Sequence, residues 1–271
     1  MAKLITLAAG VMLLAVPALA DLAAGLKAYS RQDYAVALRE LLPLAKAGNT
    51  DAQFRVGFIY CQGKPNYPEA MKWFRLAAQK GHANAQFDLG QMYSLGQGTT
   101  RSEEEAVRWY KMAAASGYPE AQARLAVAYE EGNGVVQNLE LAAKFFRLAA
   151  TNPQPWVGRA VAQFSLGAMY HEGKGVAKSL PEAAKWFELA ANGGDPQAQY
   201  NLGWMYSTAD GVEDDPIRAY FWISLAMKNS PGPSDLVVQA KKERDDLVKH
   251  MTLVQLSEAE RMVKEWKPKT N

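Results

Sequence analysis

His171 stands next to Glu172, and this pair is the nearest the chain comes to a metallopeptidase helix. That chemistry needs H-E-x-x-H, because both histidines must share one helix face to hold zinc. Position 175 is glycine, so the second ligand is missing. The other histidines, His82 and His250, are far away in sequence, and Cys61 is the single cysteine. Neither a Cys-rich zinc site nor an intrachain disulfide framework can be assembled from them. No G-x-S-x-G nucleophile elbow occurs, and neither does S-x-x-K with K-T-G. Carboxylates cluster at Glu103-Glu104-Glu105 and at Glu213-Asp214-Asp215. Their spacing is not that of a calcium loop. At the starts of helices, such charges favour the positive end of the helix dipole. No catalytic residue, metal ligand or cofactor is therefore assigned.

The positioning elements announce themselves by repetition. Five segments read Ala-Gln, two residues, then Leu or Val and a small residue. The small residues are Gly57, Gly90, Ala126, Gly167 and Gly203, in steps of 33, 36, 41 and 36. A tyrosine follows each by three: Tyr60, Tyr93, Tyr129, Tyr170 and Tyr206. Second blocks start at Ala70, Ala106, Ala142, Ala183 and Ala219. Three residues on stand Trp73, Trp109, Phe145, Trp186 and Trp222, and seven on stand Ala77, Ala113, Ala149, Ala190 and Ala226. Spacings of three, four and seven define one face of an α-helix. Each unit is thus two amphipathic helices. The small residues let helix axes approach, and the aromatics are expected to fill the space between neighbouring units. Gly96-Gln97-Gly98, Gly132-Asn133-Gly134 and Gly173-Lys174-Gly175 read as connecting turns. No third glycine follows at the dinucleotide spacing and no strand precedes them. Gly81 and Gly117 read as left-handed residues ending second helices.

These motifs, A-Q-x-x-L-G-x-x-Y, G-x-G-V and E-A-x-x-W-F-x-x-A-A, resemble the Sel1-like repeat family, a relative of tetratricopeptide repeats. The cleanest copy runs from Ala162 to Ala191. The resemblance implies an all-α, right-handed solenoid of stacked antiparallel helix pairs and a role in holding proteins together. It covers about residues 51–230. Departures are Gly63-Lys64-Pro65 in the first turn, Ala126 for glycine, and Ala209 before Asp210-Gly211-Val212. The 41-residue step contains an insertion, Thr151 to Trp156, read as a longer loop leading into a slightly longer helix, with a partner contact by Trp156 as the alternative.

Lys3, the apolar run Leu4 to Ala20 and the A-x-A site Ala18-Leu19-Ala20 read as a signal peptide over 1–20. Cleavage after Ala20 predicts a periplasmic or secreted chain with charge 29 − 28 = +1. An uncleaved segment would be a membrane anchor, since seventeen residues reach the lower limit for a span. No cysteine lies near the site, so a lipoprotein is not expected. Residues 21–50 read as an N-terminal helical cap pair and 231–271 as a C-terminal helical cap, since solenoids need atypical ends. A capping box at Ser257-Glu258-Ala259-Glu260 is expected to open the last helix.

Thirty Lys and Arg against 28 Asp and Glu give a net charge of +2, with no basic stripe, so nucleic acid is not an expected partner. The concave face of such a stack is lined by first helices. Two positions there, two before and one after the small residue, share a face without being set by the repeat. They are Arg55 and Phe58, Asp88 and Gln91, Arg124 and Val127, Ser165 and Ala168, Asn201 and Trp204. This polar groove with apolar ends suits an extended peptide or a helix. The expectation is an exported, non-enzymatic adaptor that binds a protein. An enzyme acting on cell-wall or β-lactam substrates, and a structural subunit of an envelope complex, are the alternatives.

Overall fold

The computed structural model describes residues 21–62 and 65–269. The signal-peptide reading of 1–20 and the turn residues Gly63 and Lys64 lie outside the described residues. The described residues form fourteen α-helices and no strand. They divide into two compact units, with the boundary in sequence between Lys80 and Gly81.

The first unit holds α1 (Leu22–Ser30), α2 (Tyr34–Lys46), α3 (Thr50–Cys61) and α4 (Tyr67–Gln79), each packed on the next. Asp21, Asp33, Asn49 and Asn66 open them, each side chain accepting a first-turn backbone N–H. These short acceptors satisfy donors that have no partner within the helix. Helix α2 continues past Pro43 to Lys46. The core gathers Leu41, Val56, Ile59 and Trp73 around alanines.

The second unit holds α5 (Ala83–Leu95), α6 (Glu103–Ala115), α7 (Pro119–Glu131), α8 (Leu139–Ala150), α9 (Arg159–Glu172), α10 (Leu180–Asn192), α11 (Pro196–Thr208), α12 (Pro216–Asn229), α13 (Asp235–Val248) and α14 (Leu253–Glu265). Helices α5 to α12 pack in chain order, and α12 carries both α13 and α14. Glu103, Glu104 and Glu105 form the first turn of α6 behind the cap Ser102, and Asp215 caps α12. Gly117 has φ +79 and directly follows the residue capping α6, the left-handed geometry its position requires.

The small-residue row is a steric necessity. A Cβ on Gly203 would lie 2.6 Å from Ile223, and one on Gly167 would lie 2.8 Å from the Phe187 ring. In the first unit, Gly57 stands in the same relation to Phe74, at 2.8 Å. The residue against the small position is therefore the fifth of the second block, one after the aromatic singled out by spacing. Phe74, Phe146 and Phe187 are each 2% exposed, whereas Phe145 and Trp186 are only partly buried. Helical rotation explains the shift: the fifth position points squarely at the first helix, while the fourth lies nearer the edge of the stripe, where Trp73, Trp109 and Trp222 are still buried.

The glutamine row ties one helix pair to the next. Gln53 donates to the Ala45 carbonyl at 3.0 Å, Gln122 to Ala114 at 3.4 Å and Gln199 to Ala191 at 3.0 Å. The G-x-G turns are packing devices as well. A Cβ on Gly175 would fall 2.1 Å from the Leu139 carbonyl oxygen, so the turn seats on the start of the previous second helix.

The last helix corrects one expectation. It opens at Leu253, and the capping box is Thr252 with Gln255. Ser257 lies inside the helix. Thr252-Leu253-Val254-Gln255 satisfies the same pattern one turn earlier, and the backbone closes at the first competent cap.

Candidate binding groove

The first helices α5, α7 and α9 share a row of half-exposed side chains on the second unit. Gln91, Arg124, Val127 and Ser165, all from the predicted groove positions, line one hollow of about 470 Å³. Its floor includes Phe87, Ala123 and Phe146. The segment 156–158 and Val161 of α9 complete the wall. Gln91, Arg124 and Val127 also line a second hollow of about 210 Å³, which is polar, with Ser94, Glu103 and Glu131. Arg124 thus stands between an apolar hollow and a polar one.

The larger hollow has a local cause. Three residues before the small position, four repeats carry a ring: Phe54, Phe87, Phe164 and Tyr200. Three of these rings pack on the second helix of their own pair. Phe54 meets Phe74 at 5.9 Å, Phe87 meets Tyr110 at 5.8 Å, and Phe164 meets Phe187 at 5.7 Å. The third repeat has Ala123 at this place. Phe146 faces the Ala123 methyl at that place and is still only 2% exposed, and the hollow opens beside Ala123 with Trp156 at its wall.

The insertion supplies the rim. The Trp156 indole donates to the Ala149 carbonyl at 3.0 Å. The Arg159 guanidinium holds the loop through the carbonyls of Asn152, at 2.7 Å, and Gln154. Asn152 in turn donates to the Gly117 carbonyl at 2.9 Å. This bracing presents Val157 fully exposed and Val161 at 57% exposure. Val161 was legible as an anomaly: the matching positions in the other repeats are Asp51, Asn84, Glu120 and Gln197. The spacing argument passed over Val157, Val161 and Ala123 because it looked only two before and one after the small residue, while Trp156 was named only as an alternative contact within the insertion.

The remaining predicted positions have other surroundings. The Arg55 guanidinium lies 4.8 Å over the Tyr29 ring, and Phe58 meets that ring edge-on at 5.7 Å. Both belong to the first unit and pack on α1. Trp204 lies edge-on to His171 at 6.3 Å and borders a separate hollow with Leu247 of α13 and His250 of the turn that follows it. Ala168 packs against the core around Phe187. Asn201 is half-buried on α11. None of these lines the larger hollow.

Electrostatically, Arg124 is exposed, and no hydrogen bond or ion pair joins it to any described residue. Burial pushes the Asp88 carboxyl up to about 7. Burial raises the Tyr110 phenol to about 12, against the pull of Arg124 and with added push from Glu103 and Asp88. His171 Nε2 lies 3.1 Å from Asp210. No group of three or more His, Cys, Asp or Glu is placed to hold a metal ion among the described residues. No described helix is long and apolar enough to cross a membrane.

Comparison with known proteins meets the same architecture. A Sel1 repeat protein from Oxalobacter formigenes is 31% identical, with a TM-score of 0.73, over 78% of this chain and 86% of that one. A protective antigen present in uropathogenic Escherichia coli strains, with an SLR fold, is also 31% identical, with a TM-score of 0.72. That match covers 89% of this chain, which spans 51% of the antigen. No curated protein matches the chain. The model of the Sel1 repeat matches residues 50–82, 83–118, 119–153, 160–195 and 196–229. These are the helix pairs whose small residues, rings and glutamines were traced above, and the chain belongs to the Sel1 repeat family.

Proposed function

We propose that this chain is an exported adaptor of the cell envelope, holding a protein partner in the groove along α5, α7 and α9. Sel1 repeats generally mediate protein–protein interaction. The observation that carries the reading is the apolar hollow of about 470 Å³ with exposed Val157 and Val161 on its rim and Arg124 at its edge. Recognition surfaces typically pair a desolvated apolar anchor with a few placed polar groups. The envelope location rests on the sequence of residues 1–20.

The test is site-specific photo-crosslinking in cells that make the full chain. A photoreactive residue at Val161 is expected to yield a discrete protein adduct. The same residue at Leu148, which is 42% exposed on α8, is expected to yield none. Equal labelling at both sites overturns the groove assignment. Fractionation with N-terminal sequencing checks export: a mature chain starting at Asp21 is expected, and a cytoplasmic chain starting at Met1 overturns it.

A further inference from the structure

Resting on that reading, we infer that the groove takes an internal, extended segment of the partner carrying an aromatic residue beside an acidic one. The aromatic ring fills the hollow beside Ala123, and the neighbouring carboxylate pairs with Arg124.

The aromatic specificity follows from the repeat itself. At the equivalent place in the other pairs, the first-helix ring packs on the second-helix ring, as Phe164 does on Phe187 at 5.7 Å. In the third pair the second-helix ring, Phe146, lines the hollow, and only the methyl group of Ala123 stands opposite. Phe146 is only 2% exposed, so the rings that meet a partner ring in this hollow are Phe87 and the half-buried Trp156 at its wall. Offset or tilted ring pairs gain energy beyond burial alone. Val157 and Val161 extend the apolar wall over the incoming side chain.

The acidic preference follows from Arg124. Glu120, four residues earlier on α7, lines the same hollow, yet no ion pair joins the two. The guanidinium is left as an exposed planar donor at the apolar rim, which suits a carboxylate. An internal segment, not a chain end, is favoured by what lies beyond. Past Arg124 the groove continues into the polar hollow, where Glu103 and Glu131 add negative charge. A chain running through places polar or basic residues there, whereas a terminal carboxylate would meet like charge.

The experiment is fluorescence anisotropy with the full chain and end-capped, labelled Gly/Ser peptides. These carry at their centre Phe-Glu, Glu-Phe, Phe-Gln, Ser-Glu or Phe-Lys. An uncapped peptide ending in Phe-Glu tests the terminal alternative. At least one of the capped Phe-Glu and Glu-Phe peptides is expected to bind, with at least tenfold loss for Phe-Gln and for Ser-Glu. Ala123→Phe is expected to abolish binding while the circular dichroism spectrum stays and the melting temperature holds or rises, which separates blockage from unfolding. Arg124→Glu is expected to reverse the preference, towards Phe-Lys. Unchanged binding in Ala123→Phe overturns the ring assignment, and tighter binding of the uncapped peptide overturns the internal segment. If no peptide binds at millimolar concentration while Val161 still crosslinks a protein, the peptide class falls and the adaptor reading stands. If Val161 crosslinks nothing either, both fall.

Discussion

The Gln199 side-chain amide donates to the main-chain carbonyl of Ala191 across 3.0 Å, joining the first helix of one pair to the second helix of the pair before it. Gln199 is fully buried, and its own carbonyl accepts from Asn229 at 3.0 Å. Gln199→Leu takes one of two donors from the Ala191 carbonyl, which keeps the Gly194 N–H, and leaves the half-buried Asn229 amide short of a partner. A loss of about 1–3 kcal/mol is expected. Urea unfolding followed by circular dichroism measures it. Gln122→Leu, whose bond is longer at 3.4 Å, is expected to cost less.

Glycine and alanine exchange in opposite directions at two nearby places. Gly203→Ala would put a methyl 2.6 Å from Ile223 and 3.0 Å from the Ala219 carbonyl. Overpacking costs about 1–3 kcal/mol and outweighs the gain of about 1 kcal/mol in helix propensity. A lower unfolding midpoint is expected, with partial recovery in Gly203→Ala combined with Ile223→Val. Ala209 ends α11 at φ +55, a left-handed conformation that strains a Cβ. Ala209→Gly is expected to stabilise by about 0.5–1 kcal/mol, the relief of strain less the extra freedom of the unfolded chain. Parallel thermal melts check both signs.

Asp88 gives the fold a pH dependence. Its carboxyl is raised by burial to about 7, against about 3.9 in an unfolded chain. Between those values the folded chain holds the extra proton, so this group makes stability fall as pH rises from about 4 to 7, then level off. Tyr110 and Tyr118 both lie within its electrostatic reach. Asp88→Asn is expected to flatten the slope and to add about 1–2 kcal/mol at pH 8. Burial also raises Asp195 and Glu130, so part of the slope survives. Denaturation at pH 5 and pH 8 decides, and an unchanged slope in the variant removes Asp88 as its source.

Tyr29 is the partner of two residues that looked free in the sequence. Tyr29→Ala removes the Arg55 contact at 4.8 Å and the Phe58 contact at 5.7 Å. The expected loss is about 1–3 kcal/mol in the first unit. Faster amide exchange in α1 reports it. Crosslinking at Val161 is expected to be unaffected by Phe58→Leu.

The sequence by itself determined the five repeat helix pairs, while the one capping box it pointed to, at Ser257, formed at Thr252. Neighbouring repeats are neighbours in sequence, so the spacings of Gly167, Tyr170, Ala183 and Ala190 report contacts directly. Short-range patterns such as Ser102 before three glutamates fix helix starts in the same local way. What the tertiary structure decided is which side chains remain available. Arg55, Phe58 and Trp204 carry the same positional signal as Gln91, Arg124 and Val127. Tyr29 covers the first two, and Leu247 and His250 border the third, all from elements that follow no repeat pattern. The hollow likewise depends on an absence, Ala123 where other repeats place a ring, and on a brace, Trp156 bonded to Ala149. Such a space is defined by atoms from four helices and a loop at once, which no single periodicity encodes.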